Sequence, residues 1–183
     1  LEEYLTSFDV TCSVLQTADA LERAAYELVE DAAAENVWHL EVRYAPILHM
    51  RRGMSFAHIV ESVLAGLRAG EQDFAVTTGA IICGIRNIDP RESLRLAEVT
   101  VAYKHRGVVA FDLAGGEAGN PAKKHSDAFG LILANNMNTT VHAGEAFGPE
   151  SIQQALHYCG AHRIGHVTRL AEDGDLLGYV TDH

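Results

Sequence analysis

The 183-residue chain carries 25 acidic against 14 basic residues, a formal net charge of −11, with 48% hydrophobic and 21% charged side chains. Such a composition is that of a globular protein with enough material for a core, which excludes fibrous and disordered classes. The acidity argues against nucleic-acid backbones as partners, and no apolar run reaches the roughly 18 residues of a membrane span, so neither nucleic acid nor membrane is expected.

The opening LEEYLTSFDV lacks the basic flank and apolar stretch of a secretory signal. Since the chain does not begin with Met, further residues are expected ahead of Leu1. Residues 18–35, ADALERAAYELVEDAAAE, carry apolar side chains at helical spacing and lead into the strand-like VWHLEVRYAP at 37–46. A second amphipathic helix follows from Ser55, a plausible N-cap, and then the apolar run AVTTGAIICGI at 75–85. A helix opening near Pro90 precedes GVVAFDLAGG at 107–116, and a helix near 122–136 precedes a strand at 138–142. A helix at 149–158 precedes HRIGH at 162–166, and a further helix starts near Leu170. Cys12, Cys83 and Cys159 are odd in number and widely spaced, fit no zinc-ribbon pattern, and are expected to stay reduced in a cytoplasmic setting. The NTT sequon at 138–140 overlaps a buried strand and carries little weight.

Alternating strands and helices with short connections, the strands almost continuously apolar, describe an α/β fold with a parallel sheet covered by helices. A doubly wound sheet or a (β/α)8 TIM barrel fits. Polar residues gather where strands end (Arg43, Asp112, Gly115, His142, Glu145, His166), which favours the barrel, whose chemistry sits on that rim. No GxGxxG, Walker A, GxSxG or HxE…PCxxC pattern occurs. With five strands against the roughly 250 residues of a complete barrel, residues 1–183 are expected to form a single, partial barrel domain holding about five central βα units.

The stretch TVHAGE at 140–145 is the most informative. A histidine at a strand end, released by Gly144 into a loop, can point a ring nitrogen at a metal, and Glu145 beside it can deliver a proton. His166 ends the next strand and would adjoin the same place, able to take a proton from water acidified by a catalytic zinc. A strand-end histidine is as readily structural, and most of the ten histidines, such as His39, His58, His105, His125 and His157, are expected on surfaces. Two on consecutive strands with a glutamate three beyond the first strengthen the ligand reading. Catalytic zinc wants about three protein ligands, and spacing within this chain supplies His142 alone.

TVHAGE at 140–145, FDLAGGE at 111–117, RIGH at 163–166 and EVRYAP at 41–46 occur in the order and approximate spacing of the adenosine deaminase family, which the chain resembles over almost its whole length. GLRAGEQDFAVTTGAIICGIR at 66–86 resembles that family's third βα unit. The resemblance implies a zinc-dependent barrel of the amidohydrolase kind that converts adenosine or deoxyadenosine to inosine or deoxyinosine and releases ammonia. It implies His142 as a zinc ligand, Glu145 as the acid that protonates the purine N1, and His166 as the residue that orients and deprotonates the attacking water. Gly115 resembles the glycine whose backbone N–H meets a ring nitrogen, so a purine nucleoside is the expected small-molecule partner. Asp112 reads as structural more than catalytic, while Arg43 and Arg86 read as ion-paired supports, with Glu41 the buried partner of Arg43.

The family's HxH pair and adjacent Asp pair are absent, and Asp182 and His183 do not match the latter. One Zn2+ per active site is therefore implied, its remaining ligands lying outside this segment. Gly116 stands where many members have an acidic residue, so another aminopurine, adenine or a modified adenosine, is the alternative substrate. A catalytically incomplete paralogue used for binding also stays open. An aldolase or phosphate-sugar isomerase would want a Schiff-base lysine at a late strand end, and Lys104, Lys123 and Lys124 fall on helix or loop segments.

Overall fold

The apolar spacing and the Ser55 cap read above become part of an alternating series of helices and strands in the computed structural model, which describes residues 2–182; His183 lies outside the described residues. Helix α1 spans Glu2–Val14 and α2 spans Ala18–Ala34, capped by Thr17, whose hydroxyl accepts the Ala20 N–H at 3.3 Å. Strand β1 (His39–Tyr44) leads to α3 (Phe56–Asp73), capped by Ser55 on the His58 N–H at 3.2 Å. The series continues with β2 (Thr77–Ile85), α4 (Pro90–Ala102), β3 (Val108–Ala114) and α5 (Ser126–Ala134). It closes with β4 (Asn138–Ala143), α6 (Pro149–His157), β5 (Arg163–His166) and α7 (Gly174–Asp182). The five strands stand in the order β1-β2-β3-β4-β5 with parallel pairing, the sequential arrangement of a (β/α) barrel.

Four boundaries differ from the sequence reading. Helix α1 carries no clean apolar stripe, with Phe8, Val10 and Val14 exposed, so periodicity gives little sign of it. Pro46 ends the first strand early by opening a short 3-10 turn, Pro46–His49. Ala122–His125 and Leu170–Glu172 are also 3-10 turns, so α5 starts at Ser126 and α7 only at Gly174.

The chain divides into two compact units. The first holds Glu2–Ile82 and Tyr103–Val109. There α2 contributes Leu21, Ala25 and Val29 to a core completed by Ile59, Val60, Val63, Leu64 and Leu67 of α3. Gly66 and Gly70, one turn apart on α3, let the two helices approach: a Cβ at Gly66 would lie 2.1 Å from the Glu22 carbonyl oxygen, and one at Gly70 would lie 2.6 Å from Val29 Cβ. Arg43 is exposed and Glu41 half-buried, its carboxylate 3.6 Å from His39 Nε2, so Glu41 is less buried than expected.

The second unit holds Cys83–Ala102 and the chain from Ala110 onward. Its core is apolar and close-packed, with Leu96, Leu113, Ile132, Val141 and Ile152 fully buried and Phe111 edge-on to Phe129 at 5.3 Å between ring centres. His125, expected on a surface, is 1% exposed. Its Nε2 lies 3.2 Å from the Arg86 carbonyl, which can only accept, so Nε2 carries the proton and Nδ1 accepts the Ser93 hydroxyl at 2.8 Å. Thr140 is buried within β4, which sets the sequon aside. The three cysteines are free thiols, and burial pushes that of Cys159 up to about 12.

Candidate active site

All the site residues named from sequence belong to the second unit. Strand β4 is buried from Thr139 to Val141, so His142 emerges half-buried only as the strand reaches its C-terminal end. Gly144 then turns the chain at φ +71°, a left-handed conformation in which a Cβ would meet Ile152 Cδ1 at 2.7 Å. That turn places Glu145 toward the end of β5 rather than along β4. Its Oε2 lies 3.6 Å from His166 Nε2, and the rings of His142 and His166 are 5.3 Å apart at 43°. Imidazole, carboxyl and imidazole therefore share one rim.

His166 and Val167 both have positive φ, +70° and +59°. For a β-branched residue such as Val167 this is an outlier, of the kind that concentrates at functional sites. The Val167 N–H is held by the Ala143 carbonyl at 3.1 Å, and the Thr168 hydroxyl donates to the Gly144 carbonyl. The strained end of β5 is thus tied to the turn that carries Glu145.

Behind His142 lies Asp112, in the largely buried β3 and itself 0% exposed. Its Oδ1 accepts the Leu113 N–H at 2.7 Å and its Oδ2 stands 3.0 Å from His142 Nδ1. That approach falls outside hydrogen-bond angles, leaving Nδ1 without a well-aligned partner, and a small ring rotation would align the two. A carboxylate on one ring nitrogen fixes the tautomer and turns the other nitrogen outward, the arrangement a metal-binding histidine needs. The donor chemistry fits one zinc ligand on His142. Among the described residues no group of three or more His, Cys, Asp or Glu forms a complete metal site.

Gly115 follows β3 with φ +97°, where a Cβ would meet Asn87 Oδ1 at 3.0 Å, so glycine is required at this strand end. Arg86, just past β2, is 2% exposed, but its hydrogen bonds go to backbone carbonyls, those of Asn120 at 3.3 Å and of His142, rather than to a carboxylate partner. Burial holds its guanidinium below the usual arginine range, opposed by the fields of Glu117 and Asp112. Its expected role as an ion-paired support becomes that of a buried strut on the backbone of β4.

Sequence reasoning quoted Glu117 within a motif without giving it a role. It is 3% exposed and accepts the N–H groups of Ala146 and Phe147, at 2.9 and 2.8 Å, and the Ser151 hydroxyl at 3.1 Å. Its signal in the sequence is faint: an acidic residue directly after a glycine pair is usually a solvated loop residue.

A family model described as adenosine deaminase matches residues 1–183. The chain is 46% identical over 180 residues to the adenosine deaminase of Mycobacterium avium (strain 104), covering 97% of this chain and 49% of that protein. Of solved structures, an adenine deaminase from Arthrobacter aurescens superposes with TM-score 0.92 at 27% identity, over 100% of this chain and 55% of that one. An amidohydrolase from Burkholderia ambifaria with bound Zn gives TM-score 0.87 at 26% identity, over 91% and 46%. The chain spans about half the length of these relatives. Both superpositions bear out the TIM-barrel reading of the fold.

Proposed function

The chain belongs to the adenosine deaminase family, and we propose that the protein containing it hydrolyses the 6-amino group of adenosine or deoxyadenosine, releasing ammonia. One observation carries this reading: His142, Glu145 and His166 meet on a single rim, with a buried carboxylate behind His142.

In this reading His142 is one of the ligands of a single zinc ion, its Nδ1–H directed at Asp112 and its Nε2 left for the metal. When bound, zinc supplies a water whose pKa is lowered toward about 7. Glu145 donates a proton to the purine N1, which draws electron density from C6 and lets that carbon accept a nucleophile. His166, 3.6 Å from Glu145, takes the proton from the attacking water and orients it. The backbone N–H of Gly115 holds a ring nitrogen of the base, and the missing side chain lets the purine approach the strand end. A carboxyl donor and an imidazole acceptor side by side match the two proton movements the reaction requires.

Adenine as the alternative substrate draws support from the superposition on an adenine deaminase. The nucleoside is preferred because identity to the mycobacterial adenosine deaminase is 46% against 27% for that neighbour. Glu145→Gln in the full-length protein is expected to retain its zinc and lose on the order of 10²- to 10⁴-fold in kcat, the span of general acid catalysis. Ammonia release from adenosine and metal content measure the two; near-normal turnover would remove the acid from the mechanism. No helix among the described residues is long and apolar enough to cross a membrane. A reducing, cytoplasmic setting accords with three free thiols.

A further inference from the structure

Glu117 lies in the connection after β3, two residues beyond Gly115, and its carboxylate is buried and accepts from donors about 30 positions away in sequence. Oε2 takes two consecutive backbone N–H groups, those of Ala146 and Phe147, immediately after Glu145. Oε1 takes the hydroxyl of Ser151 in the first turn of α6, a helix whose N-cap, Gly148, offers no side chain of its own. Two neighbouring N–H groups converging on one oxygen leave the intervening peptide little freedom. On the other side of Glu145, Thr168 grips the Gly144 carbonyl. Glu145 is thus suspended between two clamps on a loop with a left-handed glycine at its start.

We propose that Glu117 is a positioning residue that sets the reach of Glu145 by fixing the backbone of residues 146 and 147; this rests on the reading of Glu145 as the proton donor. Misplacing a reacting group by about 1 Å can cost on the order of 10²-fold in rate, so a clamp on the two residues that follow Glu145 has leverage on the chemistry. Glu117 also lies in the electrostatic field of buried Arg86, and a pure counter-charge role is the competing account.

Two substitutions in the zinc-loaded full-length protein separate these. Glu117→Gln keeps the reach and loses the charge: its carbonyl oxygen accepts both N–H groups and its NH2 donates to Ser151. Glu117→Asp keeps the charge and loses the reach by one methylene. If positioning is the role, the Gln variant keeps kcat per bound zinc within about threefold, and the Asp variant loses at least about tenfold with KM little changed, since the proton moves only in the transition state. Amide hydrogen exchange at Ala146 and Phe147 speeds up about tenfold or more in the Asp variant and not in the Gln variant. A merely structural residue would lower stability while leaving kcat per zinc intact, and a counter-charge would make Gln the worse variant; either result overturns the proposal. If the Asp variant fails to fold, the Gln variant decides: retained exchange protection with retained kcat supports positioning, and loss of either overturns it. Full activity in Glu145→Gln would overturn the reading and the proposal together, whereas an inactive Glu145→Gln beside a fully active Glu117→Asp sinks the positioning role alone.

Discussion

Asp112 shows at the scale of one residue how burial and chemistry combine. A carboxylate with no solvent access inside a sheet would be expensive unless partnered, and its partners include the Leu113 N–H, the Cys83 thiol at 3.6 Å and the ring of His142. Sequence reading ranked it as structural, which is right about its burial but misses what it faces. Asp112→Asn preserves the shape and removes the charge that holds the His142 tautomer, so zinc affinity is expected to fall about 10- to 100-fold. Competition with a chromophoric chelator measures it, and unchanged affinity would show that another group orients His142. Arg86 teaches the same lesson from the opposite sign: a cation at a strand end suggests an ion pair, whereas here it braces carbonyls.

At the scale of elements, α2 against α3 is the instructive pair. Both helices were visible as apolar stripes, and Thr17 and Ser55 cap them as side-chain chemistry predicts. The glycines inside α3 were not explained by pattern. Gly in a helix interior costs about 1 kcal/mol relative to Ala, so propensity alone forecasts that Gly66→Ala stabilises. The contact with the Glu22 carbonyl reverses the sign, because the new methyl forces two helices apart. We expect a loss of about 1–3 kcal/mol, the usual cost of overpacking, read from the midpoint of urea unfolding; a rise in stability would show that α2 gives way freely. Helix α1 marks the opposite limit, a helix whose exposed Phe8, Val10 and Val14 offer no periodic signal to read.

For the molecule as a whole, buried histidines in each unit make stability depend on pH. Burial lowers the pKa of His49 in the first unit and of His125 in the second, so each folded unit binds fewer protons than its unfolded chain. With unfolded values near 6.5, the contribution is complete above about pH 6.5 and is lost as pH falls below it, toward the depressed folded values. His125→Gln removes one such group. Urea unfolding of the metal-free protein from pH 7.5 to 5 should therefore show a shallower loss of stability in the variant than in wild type, and coincident slopes would show that His125 does not stay neutral on folding.

The alternation of strands and helices from α2 onward, the Ser55 cap, the parallel sheet and the placing of His142, Glu145 and His166 at strand ends were legible in the sequence, because each follows from local periodicity or from a short motif read in register. Which groups stand behind that rim was not. Asp112 beneath His142, Arg86 on the carbonyls of Asn120 and His142, Glu117 on the loop of Glu145 and His125 between Ser93 and Arg86 all join residues about 30 or more positions apart. Such pairings carry no period along the chain, since they depend on where one strand end lies against another's loop. Burial alone makes each partner obligatory, and burial is decided only when the helices cover the sheet.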